Sequence, residues 1–121
     1  PKAPADLVPA GYAISGLFDL TPLLHVSMAA DLRLDEATAR GASPLLWPPP
    51  PRGRVFDAVV GALESNEFLR QSRVIAEVWE KAGVRTRYQE IAGTNHFTVL
   101  DALCDPASAM ASRIAELART T

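Results

Sequence analysis

The sequence predicts an α/β fold, a parallel sheet with helices on both faces. Three observations lead there. Strand-like apolar runs alternate with helical segments in the order strand, small helices, strand, long helix, strand, helix. Apolar residues make up 48% of the 121 positions, enough for a sizeable core. Only three strand-like runs are present, and a narrow parallel sheet with a bare edge calls for a neighbour. The chain therefore reads as the C-terminal portion of a wider α/β sheet.

Pro1-Lys2-Ala3-Pro4-Ala5-Asp6 has neither an initiator Met nor an apolar segment behind it, so residues 1–10 read as a linker or N-terminal extension, not a signal peptide. Gly11 to Gly16 is a short buried strand. Thr21-Pro22 starts a helix, with Thr21 as cap, Pro22 in the first turn, and Leu23, Leu24 and Val26 as its apolar side. A second short helix runs from Asp35 to Gly41. Pro48 to Pro51 is extended chain, which makes the stretch before it a surface connection, stiff at its proline end. Val55 to Val60 is the second strand, bounded by Gly53 and Gly61. Glu67 to Ala82 is the best helix. Phe68, Leu69, Ser72, Ile75, Val78, Trp79 and Ala82 share one face of it, and Gly83 stands where a C-terminal glycine belongs. Val84 to Ile91 is the third strand. Phe97 to Leu100 begins a short helix. Asp105-Pro106 caps the last one, which turns Ala107, Met110, Ile114 and Leu117 inward.

A net charge of -2 and a pI near 5.6 supply no basic field for nucleic acid. No apolar run approaches the roughly 18 residues that span a bilayer. Cys104 is the only cysteine, which leaves no internal disulfide and no cysteine-rich metal site, and fits a reducing, cytoplasmic setting. Cys104 itself reads as a small buried hydrophobe.

Two turns carry the candidate chemistry. His96 lies in Gly93-Thr94-Asn95-His96-Phe97, behind the third strand, where side chains reach the carboxyl edge of a parallel sheet. It is either a general base and acid or a loop histidine with a structural hydrogen bond. Glu64 lies in the turn behind the second strand. It could orient an imidazole and stabilise its cation, or serve only as a carboxylate near a helix N-terminus. Glu67, in the first helical turn, suits that second role better. Asp57, inside an apolar strand, either faces solvent at an edge or pairs with Arg54 or Arg87. His25 is a surface or packing residue, and no partner stands at metal spacing from it. Trp47 packs under a loop or lines a pocket. No G-x-S-x-G elbow occurs; Ala13-Ile14-Ser15-Gly16-Leu17 comes nearest, with its glycines misplaced. There is also no G-x-G-x-x-G, P-loop or His-Glu-x-x-His.

Glu64-Ser65-Asn66-Glu67-Phe68-Leu69-Arg70-Gln71-Ser72 resembles the acid-bearing segment of kynurenine formamidase (arylformamidase) relatives within the α/β-hydrolase fold. There a carboxylate is followed by Ser-Pro-Glu-Phe and then Arg-Gln-Ser. Asn95-His96-Phe97 resembles the family's His-Phe segment. Ile14-Ser15-Gly16-Leu17-Phe18-Asp19-Leu20 resembles the strand end that follows the nucleophile region, and Ala42-Ser43-Pro44 the end of its cap-like insertion. The likeness runs from Gly11 to Leu117 in the family's order. It implies that 11–121 is the C-terminal part of one α/β-hydrolase domain, with 18–52 as a cap-like insertion. It makes Glu64 the triad acid and His96 the triad base, with the serine and oxyanion loop upstream of Pro1. Two positions depart from the pattern: Glu64 stands where Asp is usual, and Asn66 replaces Pro.

The implied reaction is hydrolysis of an amide (an N-formyl aryl amine) or an ester through an acyl-enzyme, with no cofactor. The implied partners are a small-molecule substrate and the upstream half of the domain or a partner chain, with homo-oligomerisation possible and neither nucleic acid nor membrane involved. Alone, the chain is expected to be inactive. The alternative is a non-catalytic hydrolase module that assembles through its open sheet edge. A flavodoxin-like binding domain would explain the strand–helix order, but not the Glu64 and His96 turns.

Overall fold

Strands β1 (Ala10–Ile14), β2 (Val55–Gly61) and β3 (Arg85–Ile91) form an all-parallel sheet in the order β1-β2-β3. The computed structural model describes Pro4 and residues 7–120, so the expected linker over 1–10 lies partly outside the described residues. Between the strands come α1 (Glu36–Gly41) and α2 (Asn66–Lys81), and after β3 comes α3 (Ala109–Thr120). The α/β architecture is the one the alternating pattern predicts.

Register sorts the side chains onto two faces. Ala13, Ala58 and Tyr88 are paired across the sheet, as are Ile14, Val59 and Gln89 one step on. The first set faces α2, where Phe18, Phe56, Ala58, Ile75, Ala76 and Val84 form a buried cluster. Phe56 joins it edge-on to Phe18 and to Trp79, with ring centroids 5.9 and 4.6 Å apart. The second set packs Val59 against Val99 and Met110, beneath α3 and the 3-10 turn Thr98–Cys104.

Helix α2 buries a narrower and more polar stripe than its pattern predicts. Ser72 and Ile75 are buried as expected, but Val78 is exposed, and Gln71 and Ala76 are inside. The Gln71 carbonyl oxygen accepts the amides of Phe18 (2.7 Å) and Asp19 (2.9 Å), and its NH2 donates to the Asp19 carbonyl (2.8 Å). A helix period sees only a polar residue there; the partners lie more than fifty positions away, with a separation of 53 to Phe18. Gly83, at φ +95, ends the helix and returns its amide to Glu80 O.

The segment between β1 and β2 is held at its ends. Buried Ser43 accepts the Leu20 amide (2.8 Å) and donates to Ala39 O (2.6 Å). Thr21–His25 is a 3-10 turn that buries nothing; Asp19, not Thr21, supplies the side-chain oxygen at its start, accepting the Thr21 amide at 3.0 Å. Asp35 caps α1 through a reciprocal pair with Thr38. Trp47 is about half exposed and donates its indole N–H to Gly41 O at 2.8 Å.

Three further expectations are corrected. Ser108, whose hydroxyl accepts the Ala111 amide, occupies the cap position of α3 in place of Asp105. Cys104 is exposed. Asp57 is neither at an edge nor paired with Arg54 or Arg87: β2 is the central strand, and the carboxylate is buried against Arg113 of α3, at 2.7 and 3.1 Å. That side chain comes from a helix the strand pattern cannot see.

Among the described residues no helix is long and apolar enough to cross a membrane.

Removing Arg113 alone strands a buried carboxylate. In urea unfolding, Arg113→Ala is expected to cost about 3 kcal/mol, whereas the apolar double replacement D57V/R113M regains most of that loss.

Candidate active site

Because all three strands are parallel, the residues just after each of them meet at one edge of the sheet. Ser15 follows β1, Glu64 follows β2 and His96 follows β3. The second and third turns are sewn together by backbone bonds. Ala62 N–H donates to Ile91 O at 3.0 Å, and Leu63 N–H donates to Thr94 O at 2.9 Å. This contact requires glycine at 61, since a Cβ there would lie 2.6 Å from Thr94 O and 3.0 Å from Asn95 O.

Glu64 folds back over its own turn, and its Oε1 accepts the Gly61 amide at 2.9 Å. Asn95 sets the other turn: its Oδ1 accepts the amides of Phe97 (2.9 Å) and Thr98 (3.0 Å), while Thr98 Oγ1 accepts the Asn95 amide. Between them His96 is aimed inward, with Nδ1 2.8 Å from Glu64 Oε2. Phe68 of α2 lies against the imidazole with centroids 4.7 Å apart, and Phe97 meets it edge-on at 5.5 Å.

The two groups differ sharply in exposure. The Glu64 side chain has no solvent contact, while the His96 side chain is 46% exposed. Burial alone would push the Glu64 carboxyl pKa up. Hydrogen bonds from Ser15, the Gly61 amide and His96 outweigh it and hold the pKa below the ordinary glutamate value. An ionised Glu64 only accepts, so Nδ1 carries the proton and donates it. Nε2 is then an acceptor, with no hydrogen bond among the described residues. A base oriented through one nitrogen and open at the other can take a proton from a group brought to it.

The structure adds Ser15, which the sequence presented only as a poor nucleophile elbow. Its Oγ donates to Glu64 Oε1. It therefore touches the carboxylate and not the imidazole, which is the wrong side for a nucleophile served by His96. The 49-residue separation left no local signal for this bond.

The other candidates lie apart. Glu67 spends its carboxylate on Arg70 and Gln71 within α2, and His25 is exposed in the 21–25 turn. Among the described residues no His, Cys, Asp and Glu group is arranged to hold a metal ion. An apolar cavity of about 440 Å³ opens at the opposite end of the sheet, between Val8, Pro51, Phe56 and Trp79. Among the described residues Arg54 is the one ionisable residue that lines it.

No family model matches the sequence. The chain is 26% identical over 98 residues to a kynurenine formamidase of Danio rerio, covering 78% of this chain and 33% of the relative. Its fold matches a thioesterase-like protein of a Silicibacter species at 27% identity, with a TM-score of 0.75. That match covers 89% of this chain and 39% of the solved one. Both similar proteins are hydrolases. The chain spans about a third of the length of the curated relative.

Gly61→Ala is expected to drive the two turns apart: the variant folds less stably, and ring NMR signals of His96 lose their response to Glu64→Gln. A second expectation concerns acid. A carboxyl whose folded pKa lies below its unfolded value of about 4.3 stabilises fully above that value, and the contribution fades as pH falls through the folded pKa. The stability margin of wild type over E64Q should therefore be largest near neutrality and shrink below about pH 4, as urea midpoints across that range will show.

Proposed function

We propose that this chain supplies the acid and the histidine of a serine-hydrolase triad, Glu64 and His96, with the serine coming from outside these residues, upstream in the same domain or on a partner chain. The observation that carries the reading is the 2.8 Å contact between His96 Nδ1 and the buried Glu64 Oε2, with Nε2 left open at the carboxyl edge of the sheet. The likeness to a formamidase and to a thioesterase-like protein supports it, because both names describe acyl transfer to water.

In this reading His96 Nε2 takes the serine proton as Oγ bonds to the acyl carbon. Glu64 holds the imidazole by Nδ1 and stabilises the cation that forms. The same proton passes to the departing amine or alcohol as its bond to carbon breaks, leaving an acyl-enzyme. Water, deprotonated by Nε2, then bonds to the acyl carbon; the bond to the serine Oγ breaks, Nε2 returns the proton to Oγ, and the acid is released. The substrate class is an N-formyl aryl amine or an ester. Leu63 and Phe97, 68% and 80% exposed beside the imidazole turn, offer apolar surface to such a group.

A second reading has one observation of its own. Among the described residues β1 pairs only with β2, which leaves a strand edge for assembly without catalysis.

The test uses the polypeptide that carries the serine, or the chain mixed with a serine-bearing partner. Hydrolysis of N-formylkynurenine or short acyl esters, blocked by a serine-directed inhibitor, is expected. His96→Asn should lower kcat about 10⁴-fold with little change in KM. The 121-residue chain alone should not turn over a p-nitrophenyl ester. Unchanged kcat in H96N would remove the histidine from the reaction and favour the assembly reading. Inhibitor-sensitive turnover by the isolated chain would place the nucleophile within it.

A further inference from the structure

We propose that Ser15 is a positioning residue, whose hydroxyl fixes the rotation of the Glu64 carboxylate so that Oε2 is reserved for His96; the inference rests on the hydrolase reading above. A glutamate reaches its partner through three rotatable bonds, and a single hydrogen bond leaves its carboxylate free to spin. Here Oε1 is held twice, by the Ser15 hydroxyl and by the Gly61 amide at 2.9 Å. The donors come from two different strand ends, so together they define the carboxylate plane. Oε2 is left facing the 93–97 turn, where it meets Nδ1 at 2.8 Å.

The backbone supports the assignment. Ser15 sits at φ +51, a left-handed conformation that glycine adopts without penalty. A hydroxyl-bearing residue at such a place is explained if the hydroxyl is needed. Its base is also fixed from both sides. The Ser15 amide donates to Val59 O at 2.8 Å, tying it to the central strand. On the other side Gly16 lies so close to Phe18 that a Cβ would sit 2.5 Å from the ring, and Gln71 clamps Phe18 and Asp19 to α2. The hydroxyl is thus presented to Glu64 from a rigid support. The same geometry sets Ser15 Oγ on the carboxylate and not on the imidazole, so His96 does not serve it as a nucleophile.

The test reads the tautomer of His96 from ring nitrogen shifts in the full ¹⁵N-labelled chain, above the pH at which the imidazole titrates. Wild type is expected to hold chiefly the Nδ1–H form. Ser15→Gly removes the hydroxyl while suiting the left-handed backbone, so the fold survives. It should lower the ratio of Nδ1–H to Nε2–H several-fold, with amide signals of β2 and α2 unchanged. Ser15→Ala, read the same way, serves should S15G lose the fold. A wild-type ratio in S15G while Glu64→Gln abolishes the bias would overturn the role of Ser15 and leave the Glu64–His96 pair standing. No bias in wild type, and none lost in E64Q, would overturn the pair and this inference with it. A merely structural serine would change stability and leave the tautomer alone.

Discussion

A carboxylate without solvent contact has two routes to survive in a folded protein: it can take up a proton, or it can find donors for both oxygens. Glu64 takes the second, with donors from three strand ends. Gly61 lies at the end of β2, Ser15 follows β1 and His96 follows β3. Each partner must be delivered by a separate stretch of chain, so the sheet register, the two sewn turns and the glycine at 61 all serve one carboxylate. Without parallel strands these residues would not share an edge at all.

Asp57 shows the same problem solved differently on the other half of the sheet. It sits four residues before Gly61 and is just as buried, yet a guanidinium from α3 neutralises it by direct pairing. Arg113 also reaches Glu116, which fixes the helix over that face. One buried acid thus anchors a helix and the other anchors an imidazole. The difference lies in what faces each of them: a permanently charged group that cannot give up its proton, against a ring whose second nitrogen can accept one.

How much of this was legible depends on the reach of each interaction. Strands and helices were legible because their signals are local: apolar runs, a three-to-four spacing over α2, Gly83 at its end. Glu64 and His96 were legible as residues of the right type in turns after strands, and their resemblance to a family's segments reinforced that. Gln71, Ser15 and Arg113 were not. Each is a polar residue whose partners stand about fifty positions away, and no periodic pattern encodes that pairing. Cys104 failed for the opposite reason. Apolar character argues for burial on average, but Cys104 ends the Thr98–Cys104 turn on its exposed side.

The glutamate at position 64, where the resembling family prefers aspartate, acquires a physical reason from this geometry. A shorter acid on the same turn would hold its carboxylate nearer the backbone. The extra methylene carries Oε1 out to Ser15 while it still accepts the Gly61 amide, and Oε2 then spans to the next turn. The cost is a more flexible side chain, and the left-handed serine offsets it. A left-handed conformation costs about 1–2 kcal/mol for a residue with a Cβ. A hydrogen bond to a charged, buried acceptor contributes about 1.5–3 kcal/mol. The bond is therefore of the size needed to offset the backbone it demands, and a serine is sustained where glycine alone would satisfy the turn.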